Sequence, residues 1–180
     1  IDYQIDTMQN LINSNSITAA SGVATVWTSA GYTSNATSAT AYISALDDFQ
    51  DHGVVVYALS NDSTFTDADF QAALPVLFTE LSEAWISAVN IDIQGAAGNE
   101  TYTKKSAPCG QSAAFCLGAD GHGINTLKHN DSYQYHVYQS GGSYYFNTGT
   151  SYVAPMISGA VALLAQAFPN QTPEQWTDRL

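Results

Sequence analysis

The amino-acid sequence predicts an α/β fold, a parallel β-sheet covered by helices, and two features of the chain lead there. Short runs of β-branched and aromatic residues alternate with stretches of helical spacing, and glycine marks several of the junctions. The bulk numbers fit one globular unit: 180 residues, 45% of them apolar, suffice for a single domain with its own core.

The elements read as follows. Residues 1–13 place Ile5, Met8, Leu11 and Ile12 on one helical face. Residues 23–27, behind Gly22, form a β-branched and aromatic run that reads as a short buried strand. A Ser/Thr/Ala-rich loop over 29–40 leads into a helix at 41–51, spaced by Ile43, Leu46 and Phe49 and stopped by Gly53. Residues 54–59 are a second apolar strand. The order repeats with 70–84 helical and 85–91 extended, so parallel strands with right-handed crossovers are expected. Beyond Gly95, extended pieces at 114–117, 135–138 and 143–146 alternate with glycine-rich turns. Residues 152–168 are apolar almost all round, which predicts a helix buried inside the domain. Thr172 caps a last helix that starts at Pro173.

Charge narrows the partners. Sixteen acidic residues stand against Lys104, Lys105, Lys128 and Arg179, a formal net charge of −12. Binding to nucleic acid needs clustered cations, and an anionic membrane surface would repel this chain, so neither is expected as a partner. No run of about 18 apolar residues is present, which leaves no predicted membrane span. Frequent Asn, Ser, Thr and Tyr with scarce Lys and Arg suit an extracytoplasmic protein. Cys109 and Cys116 have six residues between them; they are either a disulfide formed in an oxidising compartment or two buried thiols. The chain starts at Ile1, and residues 1–13 lack a signal-peptide pattern. A piece of a longer precursor is therefore expected.

The chemistry concentrates at Gly149-Thr150-Ser151, followed by Ala154-Pro155 and by Ser158-Gly159. A serine at a helix mouth has its own N–H among the unpaired donors of the first turn, at the positive end of the helix dipole. Such a serine can attack a carbonyl while its amide helps to hold the resulting oxyanion. Pro155 is expected within the first turn, where its missing N–H costs nothing. A lone serine before a helix is more often an ordinary cap. Here the whole spaced set resembles the nucleophile segment of the subtilase family.

That resemblance implies a subtilisin-like three-layer parallel sheet with helices on both faces, of which residues 1–180 are an incomplete, serine-bearing C-terminal portion. It implies Ser151 as nucleophile. It also implies an oxyanion-hole asparagine after a parallel strand, and residues 54–61 are similar to that segment, with Asn61 in the matching place and Ser60 where the family has glycine. The strand at 85–92 behind Leu74-Pro75, and the cysteine pair ahead of the turn at 119–126, resemble the subtilase domains of secreted bacterial autotransporters. An extracellular or cell-surface location follows from that likeness.

A serine hydroxyl needs a positioned base, and the Asp-Ser/Thr-Gly and His-Gly-Thr signatures of the family do not occur in the chain. His52 reads as a helix-end residue. Asp120-Gly121-His122-Gly123 reads as the family's Ala-Pro-Gly turn with its proline replaced, not as part of a triad. His129 and His136 carry no pattern, and the histidines lack zinc-binding spacing. No cofactor is identifiable; subtilases often bind calcium, but no patterned carboxylate loop places it. Two expectations result. One is a serine endopeptidase acting on a polypeptide substrate, with the missing N-terminal part of the same domain as partner, an isolated fragment that is inactive, and a dimer formed through exposed core surface as a further state. The other is a catalytically dead subtilase relative that serves as a binding or structural module.

Overall fold

A computed structural model of the chain describes residues 7–32, 36–125, 128–129, 135–136 and 146–180. Helix α1 (Met8–Asn15) starts where the Thr7 hydroxyl accepts the Asn10 N–H. It buries Met8 and Leu11 fully; Ile5 lies outside the described residues. The strand expected at 23–27 is instead helix α2 (Val23–Ser29). The Gly22 carbonyl accepts from the Thr25 and Val26 amides at 2.9 and 3.1 Å, and one helical face buries Val26 and Trp27. Trp27 meets Phe70, Tyr42 and Tyr32 ring to ring, a packing gain that outweighs the β preference of valine and tryptophan. Helix α3 (Ala36–Gln50) follows, with Ile43 buried and Phe49 half exposed.

The main sheet contains β1 (Val55–Ala58), β2 (Trp85–Gln94), β3 (Thr101–Lys104) and β4 (Cys116–Asp120). β1 and β4 run parallel to β2 on its two sides, while β3 pairs antiparallel with the far end of β2. The crossover from β1 to β2 is not the helix expected over 70–84. It holds two 3-10 turns, Leu74–Val76 and Thr79–Ser82. Pro75 offers no N–H to an α-helix, and the Ala72 carbonyl is taken by the Trp85 indole N–H (3.0 Å) and the Ser87 hydroxyl (2.7 Å). Both buried donors are thereby satisfied. The extended piece expected at 114–117 begins as a 3-10 turn, Gly110–Phe115, and becomes strand only at Cys116. Cys109 and Cys116 form a disulfide, so of the two states open from sequence the structure has the bridge.

Alternation along β2 assigns its two faces. Trp85 and Val89 point into the core built with α1–α3 and the 3-10 turns. Ile86 and Ala88 point to helix α4 (Thr150–Ala167) and pack with Val153 and Ile157. Helices therefore lie on both sides of the sheet, as expected.

The burial expected for α4 is only partial. Thr150, Val153 and Ile157 are buried, whereas Met156 is 43% and Leu163 68% exposed. The sheet covers one side of the helix, and among the described residues no further layer covers the other. With 18 residues and a mean hydropathy of 1.2, α4 is long and apolar enough to cross a bilayer, yet it rests against β1, β2 and β4. Its cap is Gly149, which puts Pro155 in the second turn and not the first; the proline supplies no N–H to the Ser151 carbonyl. Helix α5 (Pro173–Thr177) has the predicted Thr172 cap, completed into a capping box by Gln175.

The shorter strands β5 (Ile124–Asn125) and β8 (Phe146–Asn147) pair antiparallel, as do β6 (Lys128–His129) and β7 (Tyr135–His136). The remainder of the extended pieces expected at 135–138 and 143–146 lies outside the described residues, as do the side chains of His129 and His136.

Candidate active site

Three chain segments converge where the parallel strands end. After β1 the chain passes through Ser60 to Asn61; after β4 it turns at Gly121; and Gly149-Thr150-Ser151 opens α4. The Thr150 amide donates to Asn61 Oδ1 at 2.9 Å, and the Thr150 hydroxyl lies 2.7 Å from the Leu59 carbonyl and 3.1 Å from the same Oδ1. Thr150 is thus a clip between the end of β1 and the mouth of α4. A backbone N–H can only donate, so the oxygen of the Asn61 carboxamide must face Thr150, and its NH₂ must point the other way.

Two donors are left without acceptors among the described residues: Asn61 Nδ2 and the Ser151 amide. Ser151 is the second residue of the helix and is exposed. Its amide sits in the first turn, where no intrahelical carbonyl is available. The structure therefore brings the two sequence-predicted residues, Ser151 and Asn61, to one place, joined through Thr150. The arrangement can hold a developing negative charge beside the serine hydroxyl.

The turn at Gly121 supports the same place. Gly121 donates to the buried Asn90 side chain at 3.0 Å and accepts from the Gly149 amide at 3.0 Å. A Cβ at this position would come within 2.6 Å of the Val153 side chain and 2.7 Å of the Gly149 carbonyl. Only glycine lets the turn approach the serine segment this closely.

The Ser60 peptide units are also tethered. The Ser60 amide donates to Asp69 Oδ2 at 2.7 Å, and its carbonyl accepts from the Ala107 amide at 2.8 Å. Asp69 is 5% exposed, and burial pushes its carboxyl above the usual aspartate range, against the lowering effect of the amides that it binds. Nearby, burial raises the Tyr57 hydroxyl well above its ordinary value, and that hydroxyl bonds to the Gln71 side chain. Asn90 and Asp69 had no assigned role in the sequence reading, and Thr150 and Gly121 were read only as members of the serine motif and of the turn at 119–126, without the bonds that they make. Asn90 did leave a signal, as a polar residue inside an apolar strand.

Among the described residues, neither His52 nor His122 completes the site. His52 follows the end of α3, its amide bonded to the Phe49 carbonyl. His122 belongs to the Gly121 turn; its Nδ1 is 2.9 Å from the Thr148 hydroxyl and its Nε2 is 3.8 Å from Asp92. Bonding to Gln94, with help from Lys105 and His122, holds the Asp92 carboxyl below the ordinary range. The Ser151 hydroxyl has no hydrogen-bond partner among the described residues. Nor do those residues gather three His, Cys, Asp or Glu side chains that could hold a metal ion, so no calcium site is placed.

Comparison with known proteins gives a consistent result. The sequence model of the subtilase family matches residues 3–180. An extracellular serine protease from Serratia marcescens is 25% identical over 136 residues, covering 69% of this chain and 12% of that protein. Fervidolysin from Fervidobacterium pennivorans, a keratinolytic enzyme related to subtilisin, is similar over 73% of this chain and 19% of its own, with 26% identity and a TM-score of 0.48. The chain thus spans a small fraction of the length of the relatives that it matches.

Proposed function

Because the chain belongs to the subtilase family, we propose that it carries the nucleophile and oxyanion hole of a serine endopeptidase, with Ser151 and Asn61 as catalytic residues. The observation that carries this reading is the orientation of Asn61: its oxygen is committed to Thr150, so its NH₂ and the Ser151 amide are left as a pair of unpaired donors. Ser151 Oγ attacks the peptide carbonyl carbon and its proton passes to a histidine outside this chain. The carbonyl oxygen becomes the oxyanion between the two donors. Its collapse expels the amine, which takes the proton, and water then hydrolyses the acyl-enzyme.

The serine-bearing segment acts as one part of the domain. The half-covered face of α4 and the β1 edge left unpaired among the described residues receive the preceding part, which brings the aspartate and histidine. Alone, the 180 residues have no turnover. The location is extracellular or at the cell surface, in keeping with the Serratia relative and the Cys109–Cys116 disulfide.

The test uses the whole protein that contains this chain and a chromogenic peptide. Ser151→Ala should abolish turnover, and Asn61→Ala should lower kcat by about 10²–10³-fold with little change in KM, the loss expected for one oxyanion donor. Turnover unchanged in Ser151→Ala overturns Ser151 as the nucleophile, and no turnover by the wild-type whole protein favours a binding or structural module instead.

A further inference from the structure

We infer that Asp69 is the positioning residue of the oxyanion hole, acting on Asn61 through the Ser60 amide; this rests on the reading of Asn61 given above. Asp69 is buried in the crossover between β1 and β2, and among the described residues no cation pairs with it. A carboxylate so placed is costly unless its oxygens are used. Both are used. Oδ1 accepts from the Ala72 amide at 3.2 Å, closing the local turn, and Oδ2 reaches back nine residues to the Ser60 amide at 2.7 Å. The second bond serves no element of Asp69's own.

Its effect is on the turn that presents Asn61. The Ser60 amide is fixed by Asp69 and the Ser60 carbonyl by Ala107. The Ser60 hydroxyl accepts from the Asp62 amide at 3.2 Å. The residue before Asn61 is thus held at its amide, carbonyl and side chain, and Asn61 itself is held at Oδ1 by Thr150. That leaves the aim of Nδ2 determined from two sides. This accounts for Ser60 at a position where subtilases carry glycine: a residue with a side chain is tolerated because the turn is tied by Asp69, and its hydroxyl adds a further tie.

Asp67, two residues earlier, provides the contrast. It too is buried and accepts two amides, those of Gln9 (2.6 Å) and Gln111 (2.7 Å), but neither belongs to the oxyanion turn. Replacing either aspartate removes a buried charge and its bonds. Only Asp69 bears on Asn61.

The experiment is a double-mutant cycle in the whole protein, with Asp69→Asn, Asn61→Ala and the pair, and Asp67→Asn as control. Asp69→Asn should lower kcat about 10- to 100-fold with KM changed less than about threefold, the scale of loss from a misaligned catalytic group. In the Asn61→Ala background the same change should cost less than about threefold, because the group it positions is gone. Asp67→Asn should leave kcat within about threefold. Equal kcat losses for Asp69→Asn with and without Asn61, or equal losses for both aspartates, would overturn the proposal. If Asp69→Asn does not fold, Asp69→Ser, which keeps a hydroxyl acceptor, takes its place in the cycle under the same criteria. Full activity of Ser151→Ala in the same assay would instead overturn the reading of Ser151 and Asn61 on which this proposal rests.

Discussion

The two faces of the sheet are built to different depths. On the side of Trp85, Ser87 and Val89, helices α1–α3 and the 3-10 turns cover the strands, and Met8, Leu11, Phe70, Leu74 and Leu81 are fully buried beneath them. On the side of Ile86 and Ala88 a single helix, α4, lies over the strands, and Val153 and Ile157 are its buried apolar contacts. An apolar helix with one covered side is half of a packing arrangement. On the reading proposed above, the open side of α4 is where the rest of the catalytic domain docks, which would put the mouth of α4, with Ser151, at the boundary between the two parts.

Substitutions can break or sharpen that contrast in the whole protein. The largest stability loss belongs to the finished face: Trp85→Ala removes the largest fully buried side chain among the described residues, and leaves the Ala72 carbonyl with Ser87 alone. It should cost about 3–5 kcal/mol in denaturant unfolding. Cys109→Ser with Cys116→Ser opens a short loop beside the segment whose Ala107 amide holds Ser60, and the expected loss is about 2–3 kcal/mol by loop-closure entropy. The smallest effect is the most discriminating. Leu163 is 68% exposed on α4; on the proposed docking, the preceding part of the domain covers it, and Leu163→Gln should then cost about 1–3 kcal/mol. A change within about 0.5 kcal/mol would mean that this side of α4 faces solvent in the whole protein as well.

Much of this was legible in sequence, for identifiable reasons. Ser151 and Asn61 were marked by the likeness of their segments to those of subtilases, and the structure brings the two segments together through Thr150; the helices on both faces of the sheet followed from strand and helix spacing. Helix α2 was not legible, since a five-residue apolar run fits a buried strand or a helix equally well. Trp27's contacts with rings from other elements settle it as a helix. The region 70–84 had helical spacing, but the Ala72 carbonyl was taken by residues 13 and 15 positions away. For α4 the spacing gave the helix correctly and the burial only in part, because among the described residues the sheet covers one side of it alone. Asp69, and the partners of the Gly121 turn, escaped for a common reason: Ser60 for one and Asn90 with Gly149 for the other are distant in sequence and leave no periodic trace.

The central claim is that Ser151 is the nucleophile of a peptidase whose base lies outside this chain. Treating the whole protein with an organophosphorus fluoride and mapping the adduct by peptide mass spectrometry tests it directly. Stoichiometric labelling of Ser151 is expected, lost in Ser151→Ala and absent when the 180-residue chain is treated alone. Labelling at another residue, or none in the folded whole protein, would contradict it.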